Sequence, residues 1–281
     1  RYPFLRLQLR LTNPDVNLTT PAQLRNWLVT YTPVAEGSAT SNLSGVIERQ
    51  EGEILTVNVA FKNVSNVDFQ DSVVVQQTIF GPNVSPQITE RKLAKLAPNQ
   101  EISFTVSLPT LGRGGDNRLL VNFNPRRQPE QNYANNVVNL PYTVIADRLA
   151  PVLDVAFDNQ RIKDGEVVSA TPVIVVQLKD ENRFLFKRDT VGIDLFLQRP
   201  GQSTFQRVSF TNSSLKFTPA DNQNMVRIEY RPDALPDGLY TLQVQGADAT
   251  NNRTGLYQIT FRVINEQRLI SVEANPNPFQ D

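Results

Sequence analysis

The chain has 281 residues, of which 40% are hydrophobic, and this length predicts about two packed cores. Its 28 basic and 28 acidic side chains cancel, so neither nucleic acid nor an anionic membrane surface is favoured as a partner. Histidine and cysteine are both absent, which excludes Ser-His-Asp and Cys-His catalysis, zinc sites and disulfides within these residues. No apolar run reaches the roughly 18 residues that span a bilayer, so no membrane insertion is expected.

Alternation of apolar and polar residues predicts β-strands along most of the chain. In chain order the clearest examples are LRLQLRL from Leu5, WLVTY from Trp27, LTVNVAF from Leu55, ISFTVSL from Ile102 and YTLQVQG from Tyr240. Helical spacing is hardly sustained anywhere, and the one candidate is a short turn at PAQLRNWL. We therefore predict an all-β chain.

Turn-forming sequences recur between these strands, and this pattern indicates β-sandwiches rather than a parallel sheet. Two sandwiches are predicted, at residues 44–146 and 151–265. The sequence ADRLAP joins them as a linker, because Pro151 interrupts strand pairing. Residues 1–38 are too few for a module, so we interpret them as the terminal strands of a preceding β domain and the chain as a piece of a longer protein.

Several stretches resemble known modules. IERQEGEILTVNVAFKNVSNVDF, LAPNQEISFTVSL and NPRRQPEQNYANNVVNLPYTV resemble a bacterial adhesion-related immunoglobulin-like module, with Asn132, Asn135 and Asn136 in its Asn-rich turn. PVLDVAFDNQRI, LKDENRFL and LPDGLYTLQVQGADATNN resemble the immunoglobulin-like domain that follows gingipain-like cysteine peptidase domains in surface proteins of Bacteroidetes. The resemblance implies tandem immunoglobulin-like β-sandwiches.

The two ends of the chain resemble the same setting. YPFLRLQ and TPAQLRNWLVTY are similar to the segment between peptidase and modules. Residues 266–281 resemble a linker followed by the start of a C-terminal sorting domain of the type IX secretion system, with its signature at Pro276, Asn277, Pro278 and Phe279. This resemblance implies two partners, an upstream peptidase-like domain of the same chain and the type IX secretion machinery. It also implies a location outside a Gram-negative bacterium or on its outer-membrane surface.

No enzymatic activity is predicted for this segment. The catalytic His and Cys of gingipain-like peptidases have no counterpart here, so the resemblance places a cysteine peptidase only outside these residues. GRGGDN lacks the GK[ST] ending of a nucleotide loop and is typical of a hairpin turn. DTVG departs from the DTG of aspartic proteases at Val191, and the sequence has no second copy.

Calcium is the one cofactor for which the sequence offers ligands, because oxygen atoms alone suffice to bind it. LKDEN contributes Asp180 and Asn182, and GADATNN contributes Asp248 and Asn251, on two loops that can meet at one end of the second sandwich. The alternative is that these Asx-rich turns cap their own backbones without metal, and the chain then has no cofactor.

Two hydroxyl side chains match a modification pattern. Ser72 and Thr190 each follow an Asp and precede Val, and this D-[ST]-apolar pattern is associated with O-glycosylation of exported Bacteroidetes proteins. We predict modification of one or both in the native host.

A non-catalytic spacer is the predicted function, in which the sandwiches position the upstream domain relative to the sorting domain. The alternative is an adhesion module that binds carbohydrate or protein through loops or exposed aromatic rings. The tyrosines are scattered, and Tyr240 and Tyr257 fall in alternating strand patterns that predict core packing or a tyrosine corner.

Overall fold

The computed structural model describes residues 6–12, 15, 17, 23–82 and 84–265, and it confirms the all-β prediction. Strands β1 to β8 are Gly37–Ser41, Glu48–Gln50, Ile54–Asn63, Val73–Gly81, Val84–Leu93, Glu101–Pro109, Gly115–Phe123 and Val137–Ile145. Strands β9 to β17 are Val152–Phe157, Glu166–Val168, Ile174–Lys179, Asp194–Gln198, Gln206–Arg207, Leu215–Thr218, Met225–Tyr230, Gly238–Gln245 and Tyr257–Val263. A 3₁₀ turn lies at Ala134–Asn136. No helix of the described residues is long and apolar enough to cross a membrane.

Strands β1 to β8 form the first immunoglobulin-like sandwich. One sheet has the order β1-β3-β6, the other has the order β2-β8-β7-β4-β5, and only β2 and β8 pair in parallel. The apolar face predicted for β3 is confirmed, because every member is fully buried: Leu55, Val57, Val59 and Phe61. Phe61 stacks on Phe123 of β7 with ring centroids 4.8 Å apart, so the two sheets share one core.

Strands β9 to β17 form the second sandwich, with sheet orders β14-β15-β11-β9 and β10-β17-β16-β12-β13. Tyr240 of β16 is buried, and its ring lies 5.4 Å from that of Phe261 on β17. Its hydroxyl donates a hydrogen bond of 2.9 Å to the carbonyl of Pro236. This contact four residues upstream is the tyrosine corner that the strand pattern allowed for this side chain.

Each sandwich has its own apolar core, and the two buried clusters share no residue. Strand β8 ends at Ile145 and β9 begins at Val152, so the sequence ADRLAP lies outside all strands. The linker is therefore short, and it brings the end of one sandwich close to the start of the other.

The N-terminal segment differs from its prediction. Residues 6–12 and 23–36 contain no strand, although LRLQLRL and WLVTY were expected to form two. Leu7, Leu9 and Leu11 are 46%, 46% and 51% exposed, since alternation stabilises a strand only where a paired neighbour completes a buried face. The first sandwich also begins before the predicted Ser44, because Gly37–Ser41 pairs with β3.

Two carboxylates organise the Asn-rich turn before β8. Buried Glu130 accepts hydrogen bonds from the Gly37 amide at 2.7 Å, from the Asn136 side chain at 2.7 Å and from the Asn124 side chain. Glu36 accepts bonds from the amides of Gln131 and Asn132, at 2.8 and 3.0 Å. Burial raises the pKa of Glu130, and the three donors oppose this shift by favouring the ionised form. The turn is thus fixed to the start of β1.

We expect Glu130→Ala to lower the free energy of unfolding of the first sandwich by about 3 kcal/mol, because it leaves three buried donors without an acceptor. Urea titrations followed by far-UV circular dichroism measure this loss. Glu101→Ala is the matched control, since Glu101 is exposed on β6 of the same sandwich. Equal unfolding midpoints for the two variants would contradict the role given to Glu130.

Candidate metal centre at the linker

Three carboxylates meet where the linker enters the second sandwich. Asp147 lies in the linker, Asp180 follows β11 and Asp248 follows β16. One carboxylate oxygen from each lies within 4.8 Å of the other two. Asp180 and Asp248 are only 6% and 2% exposed, and Asp147 is half-buried. Segments far apart in sequence thus place three acidic groups in one small, largely buried volume.

Strand pairing explains why the linker reaches these loops. Strands β9 and β11 are antiparallel, and Val152 at the start of β9 lies opposite Lys179 at the end of β11. Residues immediately before Val152 therefore lie beside residues immediately after Lys179. Asp180 is the residue immediately after Lys179, and Asp147 lies further back in the linker that leads to Val152.

Amide side chains hold Asp147 in place. Asn182 donates a hydrogen bond of 3.0 Å to Asp147 Oδ2, and Asn252 donates one of 3.2 Å to the Asp147 carbonyl. Asn182 also donates to the Glu51 carbonyl of the first sandwich at 3.2 Å. The Asp147 amide in turn donates to Glu51 Oε2 at 3.0 Å. The linker is bonded on one side to the first sandwich and on the other to loops of the second.

Asp248 is fixed by its own loop. Its Oδ1 accepts hydrogen bonds from the Thr250 amide and the Asn252 amide, both at 2.8 Å, and from the Thr250 hydroxyl at 3.0 Å. Its Oδ2 accepts one from the Asn252 side chain at 2.8 Å. These neutral donors orient the carboxylate without cancelling its charge.

Asp180 is less completely bonded. Asn224 donates to Asp180 Oδ2 at 3.1 Å, while Asp180 Oδ1 is buried and has no hydrogen-bond partner. Burial first, and then the neighbouring carboxyls of Glu181 and Asp147, raise the pKa of Asp180 to about 7. Burial likewise raises the pKa of Asp147, against the hydrogen bond from Asn182. The ionised cluster is destabilised by desolvation and by like charges.

An open cleft of about 520 Å³ lies beside Asp180. Its walls carry further charged groups, which are Lys179, Glu181 and Arg183, all of them exposed. Within the described residues, no ion pair joins a basic side chain to any of the three clustered carboxylates. Solvent and small ions reach Asp180 from this cleft, and the negative charge of the cluster is not neutralised by a basic residue.

The four residues that the sequence suggested for calcium are placed differently from one another. Asp180 and Asp248 contribute carboxylates to the cluster. The side-chain oxygen of Asn182 accepts the amides of Phe184 and Leu185, at 2.8 and 3.0 Å, so Asn182 orients Asp147 as a donor. Asn251 is exposed with φ 69°, and Asn252 is the residue that contacts Asp147 and Asp248.

Asp147 is the member of the cluster that the sequence analysis missed, because ADRLAP was interpreted only as a linker. The signal that identifies it is positional. The linker that leads into β9 ends near the residue that follows β11, because β11 is the antiparallel neighbour of β9. Pairing β9 with β11 in the sequence would have brought the linker, with its single carboxylate Asp147, to the same end of the sandwich as Asp180.

The other predicted sites stay predictions. Ser72 and Thr190 are half-exposed and lie outside the strands. The preceding Asp71 accepts the Ser72 amide at 2.6 Å, and Asp189 accepts the Val191 amide at 3.2 Å. The sorting signature, Pro276 to Phe279, lies outside the described residues.

Comparison with known proteins gives likenesses of fold. No family model and no curated protein matches the chain. It is similar to the CARDB domain of a Pyrococcus furiosus protein, crystallised in complex with di-metal ions, at 18% identity and TM-score 0.33, over 42% of this chain and 100% of that domain. It is similar to dimeric latent PorU from Porphyromonas gingivalis at 14% identity and TM-score 0.33, over 84% of this chain. A β-glucosidase from Listeria innocua matches 40% of the chain at 18% identity and TM-score 0.31. The chain spans 24% of the PorU chain and 16% of the glucosidase.

We expect Asp180→Asn to raise the melting temperature by about 2–4 °C at pH 8.5 in a chelating buffer. The raised pKa means that the cost of ionising Asp180 in the folded protein grows as pH rises from about 4 to about 7 and is complete above that. The amide removes this charge, and its oxygen still accepts from Asn224. The gain should disappear near pH 4, where Asp180 is neutral in the wild type.

Asp221→Asn is the control, because Asp221 is exposed in a neighbouring loop and its Oδ1 accepts the Gln223 amide, a bond that Asn retains. Thermal melts by circular dichroism at both pH values make the comparison. A lower melting temperature for Asp180→Asn than for Asp221→Asn at pH 8.5 would show that Asp180 is not a destabilising buried charge.

Proposed function

We propose that this chain is a non-catalytic spacer in which two immunoglobulin-like sandwiches are held as one stiff unit. The observation that supports it is the double attachment of the linker. Asp147 bonds through its amide to Glu51 and receives hydrogen bonds from Asn182 and Asn252. A short linker tied on both sides permits fewer module orientations than a free peptide of the same length.

Close backbone approach adds to this attachment. Gly52, in the turn between β2 and β3, adopts φ 94°, and a Cβ at this position would lie 2.4 Å from Leu185 Cγ of the second sandwich. Asn182 meanwhile donates to the carbonyl of the preceding residue, Glu51. Glu51 itself is 9% exposed and accepts the amides of Gly112 and Asp147. This turn packs directly against the β11–β12 loop, so the modules touch through contacts other than the linker.

The cellular setting belongs to the same proposal. The motif resemblances support an exported protein at the surface of a Gram-negative bacterium. There the spacer stands between an upstream peptidase-like domain and a type IX sorting domain. Its role is to hold the upstream domain at a fixed distance and orientation from its attachment point. Stiffness is the property that this role requires.

A distance measurement between the sandwiches tests stiffness. The chain has no cysteine, so Ser107→Cys on β6 and Ser203→Cys in the β12–β13 loop provide two unique positions for spin labels. Both serines are exposed. Double electron–electron resonance in a chelating buffer should give a single narrow distance distribution. A broad distribution spanning many distances would show two freely jointed modules and would overturn the proposed function.

We expect Asn182→Asp to broaden that distribution. The new carboxylate still accepts the amides of Phe184 and Leu185, but it cannot donate to Glu51 or Asp147 and it repels the latter. Asn212→Asp is the matched control, because exposed Asn212 accepts the Ser214 amide in a similar turn away from the linker. If both variants keep the wild-type distribution, these hydrogen bonds do not set the module orientation.

A further inference from the structure

A buried carboxyl oxygen without a hydrogen-bond partner is the observation that points to a ligand. Asp180 is 6% exposed, and its Oδ1 has no hydrogen-bond partner, although the other oxygen is bonded to Asn224. Burying a charged oxygen without a donor or counter-charge is strongly unfavourable. The cluster itself supplies neither a hydrogen-bond donor nor a positive charge to this oxygen, because its other members, Asp147 and Asp248, are also carboxylates.

The spacing of the cluster fits one cation. Two oxygens bound to the same Ca²⁺ at about 2.4 Å are separated by at most about 4.8 Å. One oxygen from each of the three carboxylates lies within 4.8 Å of the others. The three side chains therefore reach one ion without rearrangement of the backbone segments that carry them.

The surrounding amides act as supports for such ligands. Asn182, Asn224 and Asn252 each donate a hydrogen bond to one carboxylate of the cluster. These neutral donors fix the orientation of the oxygens and leave the negative charge available to a cation, as second-layer groups around metal ligands do. An arginine or lysine at the same positions would instead have neutralised the site.

We infer that Asp147, Asp180 and Asp248 bind one calcium ion, which joins the linker to two loops of the second sandwich. Only oxygen ligands are present, and the chain has no histidine or cysteine, so the site suits a hard cation. Three protein carboxylates on one ion, two of them largely buried, are typical of calcium sites, whereas Mg²⁺ usually keeps several waters and one or two carboxylates.

The role of the ion rests on the proposed spacer function, but the site itself does not. Asp147 connects to the first sandwich through its amide, which donates to Glu51, and to the ion through its carboxylate. Binding would therefore fix the linker against the second sandwich more tightly than hydrogen bonds alone. Calcium concentration would set the stiffness of the spacer.

Calcium titration of the full chain, freed of metal by chelator, tests the site by isothermal calorimetry at pH 7.5. We expect one Ca²⁺ per chain with a Kd between about 1 µM and 1 mM. Asp147→Asn and Asp180→Asn should each weaken binding at least about tenfold, and Asp221→Asn should leave it unchanged. Circular dichroism melts of each variant establish that it is folded.

Three outcomes overturn the site. They are absence of binding up to about 10 mM Ca²⁺, the weak limit for a protein site, wild-type affinity in folded Asp147→Asn, and Mg²⁺ binding as tight as Ca²⁺.

The spin-labelled chain tests the role of the ion separately. A distance distribution that is narrow in chelating buffer and becomes narrower still on adding Ca²⁺ supports it. Calcium binding with an unchanged distribution overturns the locking role and leaves the site, whereas a broad distribution in chelating buffer overturns the spacer function.

Discussion

The relation between the two sandwiches depends on how a single linker residue is held. Asp147 uses its amide, its carbonyl and its carboxylate, and each is bonded to a side chain from another segment: Glu51, Asn252 and Asn182. A residue bonded through all of its polar groups has little freedom left, and the residues on either side of it are restrained as well. The close approach of Gly52 to Leu185 adds a contact between the same two sandwiches beside the linker.

The cost of this arrangement is concentrated in the same place. Bringing the linker against the loops after β11 and β16 buries three carboxylates together. Hydrogen bonds from amides compensate for part of the lost hydration, yet Asp180 keeps one oxygen without a partner. The least favourable electrostatic interactions that these contacts create therefore lie at the point where the modules join. A spacer whose stiffness responds to an external ion needs this coincidence, since a cation bound elsewhere would stabilise one sandwich without affecting their relation.

The fold was largely predictable because burial within a sandwich follows local alternation. In β3 and β16 every second side chain is buried, as the sequence pattern indicated. The prediction of N-terminal strands was wrong because alternation alone does not bury the apolar face of a strand. LRLQLRL alternates as clearly as β3, but its described residues pair with no strand, and Leu7 stays 46% exposed. Periodicity reports which face would be buried, and it does not report whether a partner sheet is there to bury it.

The candidate site was predictable only in part, because turns do not preserve alternation. Asp180 and Asp248 follow strand ends, where register still determines position, and both were identified. The sequence did not separate Asn251 from Asn252, because sequence spacing does not reveal backbone direction within a turn. The left-handed φ of 69° at Asn251 leaves its side chain exposed and directs the next residue to the cluster. Identifying Asp147 required knowledge of the β9–β11 pairing and of the hydrogen bonds from Asn182 and Asn252 to the linker, and these are tertiary facts.

A carboxyl with a pKa of about 7 has two physical interpretations, and its neighbours decide between them. A general base must exchange its proton with a substrate, which requires access and a nearby group that accepts or stabilises the developing charge. Asp180 is 6% exposed and lies beside two other carboxylates. Accepting a proton relieves the repulsion among these groups, and once it is relieved Asp180 has no further tendency to take a proton from a substrate. Asp248 accepts hydrogen bonds at both oxygens from Thr250 and Asn252, which fix the orientation of its carboxylate. A divalent cation satisfies the unpartnered oxygen and removes the repulsion among all three groups at once, and it needs no movement of the loops that hold them.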